Sequence, residues 1–153
     1  MSQLKRILLA ENDPRDVELT LKGLAEYRLA NDVFTVSNGE EALDYLHRRG
    51  PFSCRAEGLP AVILLDLKMP LVSGLEVLQE IKTDERLRQI PVVVMTSSRE
   101  DRDLEECYRL GVNAYVVKPL DFLEFVEAVK TIGLFWAVLN ETPLVCSRPA
   151  PSP

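Results

Sequence analysis

The chain has 153 residues, 46% of them apolar and 27% charged, and a formal net charge of −6. This length suits one domain with a sizeable core, and the acidic balance argues against a nucleic-acid partner, which needs clustered Lys and Arg. No apolar run approaches the ~18 residues of a membrane span and Met1-Ser2-Gln3 opens no signal peptide, so the chain is expected to be cytoplasmic.

Leu4 to Ala10 reads as a first strand, buried on both faces, running into Glu11-Asn12-Asp13-Pro14. Pro14 suits the first position of a helix capped by Asp13, and Val17, Leu21 and Leu24 recur at helical spacing behind it. Asn31-Asp32 is a turn signal, and Val33 to Val36 a second strand. Asn38 and Glu41 form a capping-box pattern ahead of a helix that buries Ala42, Leu43 and Leu46. His47, the only histidine, falls at the expected end of that helix, where a cation-capable residue is favourable. Gly50 to Pro60 is a loop by composition.

Val62-Ile63-Leu64-Leu65 is then an unbroken apolar run, ending at Asp66 and, four residues on, at Pro70. Proline cannot donate to a ladder and disfavours helix at Met69, so the third strand stops close to Asp66. Ser73 and Glu76 repeat the capping pattern before a helix carrying Leu75, Leu78 and Ile81. Pro91 leads into a fourth strand, Val92 to Met95, which ends at Thr96-Ser97-Ser98. The next helix, from about Arg99 to Leu110, is heavily charged and offers chiefly Leu104, Cys107 and Tyr108 to a core. It should be the most exposed and mobile of the set, and Gly111 stops it.

Asn113 to Val117 is a fifth strand, ending at Lys118-Pro119. Asp121 and Glu124 cap a long last helix, with Phe122, Phe125, Val126, Val129, Ile132, Gly133 and Trp136 along one stripe. Pro143 to Pro153 contains four prolines, and residues 140–153 read as a disordered tail behind a single domain over 1–139. Three cysteines, Cys54, Cys107 and Cys146, show no CxxC spacing and read as reduced thiols; with one histidine they give no zinc site.

Strand and helix alternate five times, which implies a parallel sheet covered by helices on both faces through right-handed crossovers. If every strand is parallel, Glu11-Asn12-Asp13, Asp66, Thr96 and Lys118 gather at the carboxyl edge, where open α/β sheets bind ligands. Each residue also has a plainer reading. Asp66 could form a turn or cap a helix, Thr96 could be a cap, and Lys118 a solvated charge. Together they suit phosphoryl chemistry. Acids supply the oxygen ligands that Mg²⁺ takes, and Lys118 with the metal would neutralise a phosphoryl group on Asp66.

With those motifs in place, the sequence resembles the receiver domain of two-component response regulators over roughly Leu4 to Trp136. The resemblance rests on the acidic cluster after the first strand, Asp66 with Pro70, Thr96-Ser97 and Lys118-Pro119. It implies a flavodoxin-like, doubly wound five-stranded sheet in the order 2-1-3-4-5 with five helices. It implies that Asp66 is the phosphoacceptor, taking the group from a phosphohistidine of a sensor histidine kinase. Thr96 and Lys118 would bind the phosphoryl oxygens, and Tyr115 would be the aromatic switch residue. The Mg²⁺ ligands would be Glu11, Asp66, the backbone carbonyl of Lys68, and either Asn12 or Asp13. The Lys118-Pro119 peptide would be cis. One departure stands out: relatives usually carry two adjacent acids where this chain has Glu11-Asn12, and Asp13 is the nearest replacement.

Within the family, the loop Arg49 to Pro60, the segment Glu80-Ile81-Lys82-Thr83-Asp84 and the extension at Phe135-Trp136 resemble small stand-alone regulators paired with phytochrome-like histidine kinases. The residues after Trp136 leave no room for an output domain, so the output is expected to be contact with another protein. Two other readings compete. A haloacid-dehalogenase-like phosphatase would need a second Asp where Lys68 stands, and a degenerate receiver acting as a phosphorylation-independent scaffold is suggested by Asn12. An apolar surface at Leu123, Leu134, Phe135 and Val138, widened by Leu139, falls opposite the sheet-facing stripe of the last helix and predicts a homodimer.

Overall fold

The computed structural model describes residues 6–29, 32–56 and 58–141. Strands β1 (Ile7–Ala10), β2 (Val33–Val36), β3 (Val62–Leu65), β4 (Val92–Thr96) and β5 (Ala114–Val117) alternate with helices α1 (Pro14–Ala25), α2 (Gly39–His47), α3 (Gly74–Thr83), α4 (Asp101–Leu110) and α5 (Phe122–Ile132). All neighbouring strands pair in parallel, in the order β2-β1-β3-β4-β5. This is the flavodoxin-like order that the resemblance to receiver domains implies.

The strand sequences explain the layering. Successive side chains of a strand point to opposite faces. Leu8 and Ala10 of β1, Ile63 and Leu65 of β3, and Val92 and Val94 of β4 therefore meet Leu46, Leu78, Ile81 and Cys107 from α2, α3 and α4. Ile7 and Leu9, Val62 and Leu64, and Val93 and Met95 meet Leu24 of α1 and Phe125, Val129 and Ile132 of α5. Each fully buried Leu, Ile or Val here contributes about 1.5–3 kcal/mol. The three central strands are buried throughout, whereas the edge strands β2 and β5 are mostly half-buried or exposed.

Four helices begin at the side chains that the sequence marks as caps. Asp13 accepts from Arg15 N–H, Asn38 from Glu41, Ser73 from Glu76 and Asp121 from Glu124. Helix α4 is different. Its capping residue Glu100 makes no side-chain capping bond, and Cys107 is its only buried residue. Gly111 ends it in the left-handed region at φ 99°, as expected. His47 pairs with Glu80 at 3.0 Å, tying the end of α2 to α3.

Three expectations need correction or limits. The last helix does not continue as one α-helix: beyond Ile132 it widens into a π-helix over Gly133–Leu139. A π turn closes i→i+5, so the about 100° step used to assign faces no longer holds there. Phe122 also leaves the buried stripe: it is 45% exposed, at the first turn of α5, with the Lys22 ammonium 5.8 Å above its ring. The expected tail over 140–153 lies almost wholly outside the described residues, as do Asn31 of the predicted turn and the third cysteine, Cys146.

Candidate phosphoacceptor site

Register brings the site together. Ala10 pairs with Leu65, and Leu65 with Val94, so Glu11 and Asp66 leave adjacent strands at the same level. The backbone carries the ladder one residue further at each exit. Glu11 N–H donates to Val36 O at 3.0 Å, Asp66 N–H to Ala10 O at 3.0 Å, and Lys118 N–H to Thr96 O at 2.8 Å. The β1–β3 boundary is also where the strand order reverses, the place where doubly wound sheets open a crevice.

A close approach fixes Asp66 from the other side. A methyl group on Gly74 would lie 2.2 Å from the Asp66 carbonyl oxygen, and Gly74 N–H donates to Leu67 O at 2.9 Å. Only glycine lets the start of α3 rest directly on the Asp66 backbone. Leu9, Leu64, Met95 and Phe125 line a small recess together with Glu11, Thr20, Asp66 and Lys118.

The Lys118 ammonium stands at the centre. It donates to Glu11 Oε2 at 2.7 Å, to Asp16 Oδ2 at 2.7 Å and to Asp66 Oδ2 at 3.0 Å. Burial alone would lower the Lys118 pKa, but the hydrogen bonds it donates to Asp16 and Glu11 and the charge of Asp66 outweigh it and raise it above the usual lysine value. Burial pushes the Glu11 carboxyl up to about 7, with Lys118 opposing and the Asp66 charge adding to the rise. Three carboxylates around one ammonium leave excess negative charge in a poorly hydrated place. Such a place attracts a further cation.

Asp66 and Glu11 thus converge as expected, and Asp66 also accepts from Lys68 N–H through Oδ1 at 3.3 Å. Asn12 and Asp13 do not join them. Both are exposed, and Asp13 Oδ1 is engaged by Arg15 N–H at 2.9 Å as the cap of α1. Among the described residues no three or more His, Cys, Asp or Glu side chains form a ready metal cage. The donor chemistry nevertheless fits a hard divalent cation: two buried carboxylates face one point, and the ammonium between them already marks it as a cation position. The expected cis peptide is a correction, because no described peptide bond is cis. The trans form is intrinsically favoured by about 0.5–1 kcal/mol even before proline. In that form Lys118 already reaches Thr96 through its backbone and three carboxylates through its side chain.

Thr96 and Tyr115 meet at a residue the sequence reading passed over. Thr96 is fully buried and its Oγ1 accepts from Ser98 N–H at 3.3 Å. The Tyr115 hydroxyl donates to the Ser98 carbonyl at 3.1 Å, and burial raises its pKa. Ser98 Oγ donates to Asp103 Oδ2 at 2.5 Å and accepts from Glu100 N–H at 3.3 Å, so it holds the start of α4. Asp16 was also passed over. An acid in the first turn after Glu11-Asn12-Asp13-Pro14 looks like a helix-dipole residue, and only the topology brings it to Lys118.

Comparison with known proteins agrees with this geometry. The response regulator receiver domain model matches residues 7–130. The probable methanogenesis regulatory protein FilR2 of Methanothrix harundinacea is 39% identical over 139 residues, covering 90% of this chain and 86% of that protein. The bacteriophytochrome response regulator RtBRR is 58% identical, with a TM-score of 0.74 over 92% of this chain and 85% of that one. The phosphorylated cyanobacterial phytochrome response regulator RcpA is 37% identical, with a TM-score of 0.85 over 91% and 98%. The Mn²⁺-bound form of response regulator Rcp1 is 33% identical, with a TM-score of 0.85 over 91% and 99%. No helix among the described residues is long and apolar enough to cross a membrane. From the shared fold, the matched span and these relatives, the chain belongs to the response regulator receiver domain family, whose members are phosphoacceptor switches rather than enzymes of the usual kind.

Proposed function

We propose that this protein, in the cytoplasm, takes a phosphoryl group on Asp66 from a phosphohistidine of a sensor histidine kinase and changes its protein contacts as a result. The observation that carries the reading is the Lys118 ammonium held 3.0 Å from a buried Asp66 carboxylate beside Glu11. In the transfer, an Asp66 oxygen forms the new bond to phosphorus as the phosphorus–nitrogen bond of the donor breaks. Lys118 then neutralises a phosphoryl oxygen, and Thr96 donates its hydroxyl to another. Glu11, Asp66 and the Lys68 carbonyl would hold Mg²⁺, with Asn12 or Asp13 reaching it only by turning inward; the bound ion supplies positive charge to the phosphoryl oxygens. The same groups assist hydrolysis of the acyl phosphate. Likeness to phytochrome response regulators favours a phytochrome-like kinase as donor.

Asn12 in place of an acid supports a second reading, a receiver that binds its partner without being phosphorylated. Intact-mass spectrometry after incubation with acetyl phosphate separates the two. The switch reading expects one phosphoryl adduct that requires Mg²⁺ and disappears in Asp66→Asn. An adduct that survives Asp66→Asn, or no adduct on the wild type, overturns it.

The homodimer belongs to the same proposal. Leu123 is 64% exposed in the first turn of α5, and Phe135, Val138 and Leu139 are 50%, 41% and 61% exposed in the π-helix at its other end, while Leu134 is half-buried. A second copy meeting the same face would pair these residues symmetrically, which suits a dimeric kinase. Light scattering should give a dimer for the wild type and a folded monomer for Leu123→Glu. A wild type that is monomeric at high micromolar concentration contradicts the pairing.

A further inference from the structure

Asp16 is unassigned by the reading above, yet it makes one of the two shortest contacts of Lys118. A lysine ammonium has three donors, and here all three are spent: on Glu11, Asp16 and Asp66. A phosphoryl oxygen arriving at Asp66 can gain a hydrogen bond from Lys118 only if one acceptor lets go. The three acceptors differ in what release costs them. Glu11 and Asp66 side chains are 4% and 8% exposed, so a released carboxylate would be left poorly hydrated, whereas Asp16 is 20% exposed and can turn to water.

The backbone of Asp16 is meanwhile held firmly. Thr20, itself buried, donates its hydroxyl to the Asp16 carbonyl at 2.7 Å. One turn further on, a methyl group on Gly23 would lie 2.8 Å from Val129, so α1 is seated tightly on α5. Asp16 is therefore delivered to Lys118 by a fixed helix, at the side of the site where Asn12 offers no charge and Asp13 is occupied as a cap.

Resting on the phosphoacceptor reading, we propose that Asp16 is a positioning residue: it holds the Lys118 ammonium toward α1 in the unphosphorylated protein and releases it when a phosphoryl group occupies Asp66. The contact stabilises only the unphosphorylated arrangement. Removing it should therefore favour the phosphoryl-bound state, both by freeing a donor and by lowering the negative charge that meets the incoming group.

Two measurements on the full chain decide it. In the unphosphorylated protein, nitrogen-15 NMR of the Lys118 ammonium should show slow proton exchange, and Asp16→Asn should accelerate it at least about threefold, because a charge-assisted bond is lost. Titration of beryllofluoride, a phosphoryl mimic, in Mg²⁺ should show half-saturation at a concentration at least about threefold lower for Asp16→Asn than for wild type. Glu18→Gln removes the same charge from the exposed face of α1 and should change neither. Exchange that is unaffected by Asp16→Asn, equal effects of Glu18→Gln, or a half-saturation that stays or rises would overturn the proposal. Failure of the wild type to bind beryllofluoride would instead count against the Asp66 reading, and the exchange measurement alone would then decide for or against Asp16.

Discussion

The two sides of the site are built differently. On the β1–β3 side, Glu11 and Asp66 leave fully buried strands, α1 and α3 start at capped positions, and glycines bring helices onto backbone. On the β4–β5 side, Thr96 leaves a buried strand, but α4 lacks a side-chain cap, buries one residue and is tied down through Ser98. The difference teaches where change can be accommodated. If Asp66 takes a phosphoryl group as proposed, the group would meet a tightly packed base, and the element free to adjust would be α4, whose start is tied through Ser98 to Asp103, Glu100 and Tyr115.

The contrast can be broken most severely at its rigid end. Gly74→Ala forces a methyl group to 2.2 Å from the Asp66 carbonyl, so α3 or β3 has to shift. Urea denaturation should show a loss of about 3 kcal/mol or more. A loss under 1 kcal/mol would mean that this side yields after all.

Cys107 reports on the other side. Burial is the largest cause raising its thiol to about 11 from an ordinary 9.0, with the charges of Asp103 and Glu106 adding to it. The folded state therefore keeps a proton that the unfolded state loses between those values. This contribution to stability is complete below about pH 9 and is lost as pH rises toward 11, by about 2 kcal/mol. Cys107→Ala should flatten the stability profile in that window. At pH 8 a thiol reagent should label exposed Cys54 quickly, and Cys107 only as fast as α4 opens.

Ser98→Ala removes the hydroxyl that bonds Asp103 and Glu100, while leaving the carbonyl that receives Tyr115. The expected loss is about 1–2 kcal/mol, and labelling of Cys107 should speed up while exchange in β1 and β3 stays the same. The smallest effect is a gain. Glu100→Ser gives α4 the cap it lacks, worth about 0.5–1 kcal/mol, and should slow Cys107 labelling.

The same contrast marks what the sequence could and could not show. Apolar runs ending at Asp66 and Thr96, together with caps at Asp13, Asn38, Ser73 and Asp121, carry the alternation of strand and helix, and a parallel sheet then gathers Glu11, Asp66, Thr96 and Lys118 at one edge; the strand order itself follows only from the resemblance to receiver domains. Asp16 and Ser98 were not legible, since each acts through a partner far away in sequence: Lys118 for one, Tyr115 for the other. The π-helix at Gly133 was missed for a related reason. A Cβ there would meet Leu24 at 2.7 Å, so the position is set by packing against α1 and not by helical propensity.

Amide hydrogen exchange, measured with and without beryllofluoride and Mg²⁺, tests the central claim most directly. Exchange should change in residues 97–110, from Ser97 through α4, and in β5 around Tyr115, while β1, β3 and the first turns of α3 remain as protected as before. Equal changes on both sides, or a change confined to β1, α1 and α3 with α4 unaffected, would contradict the account.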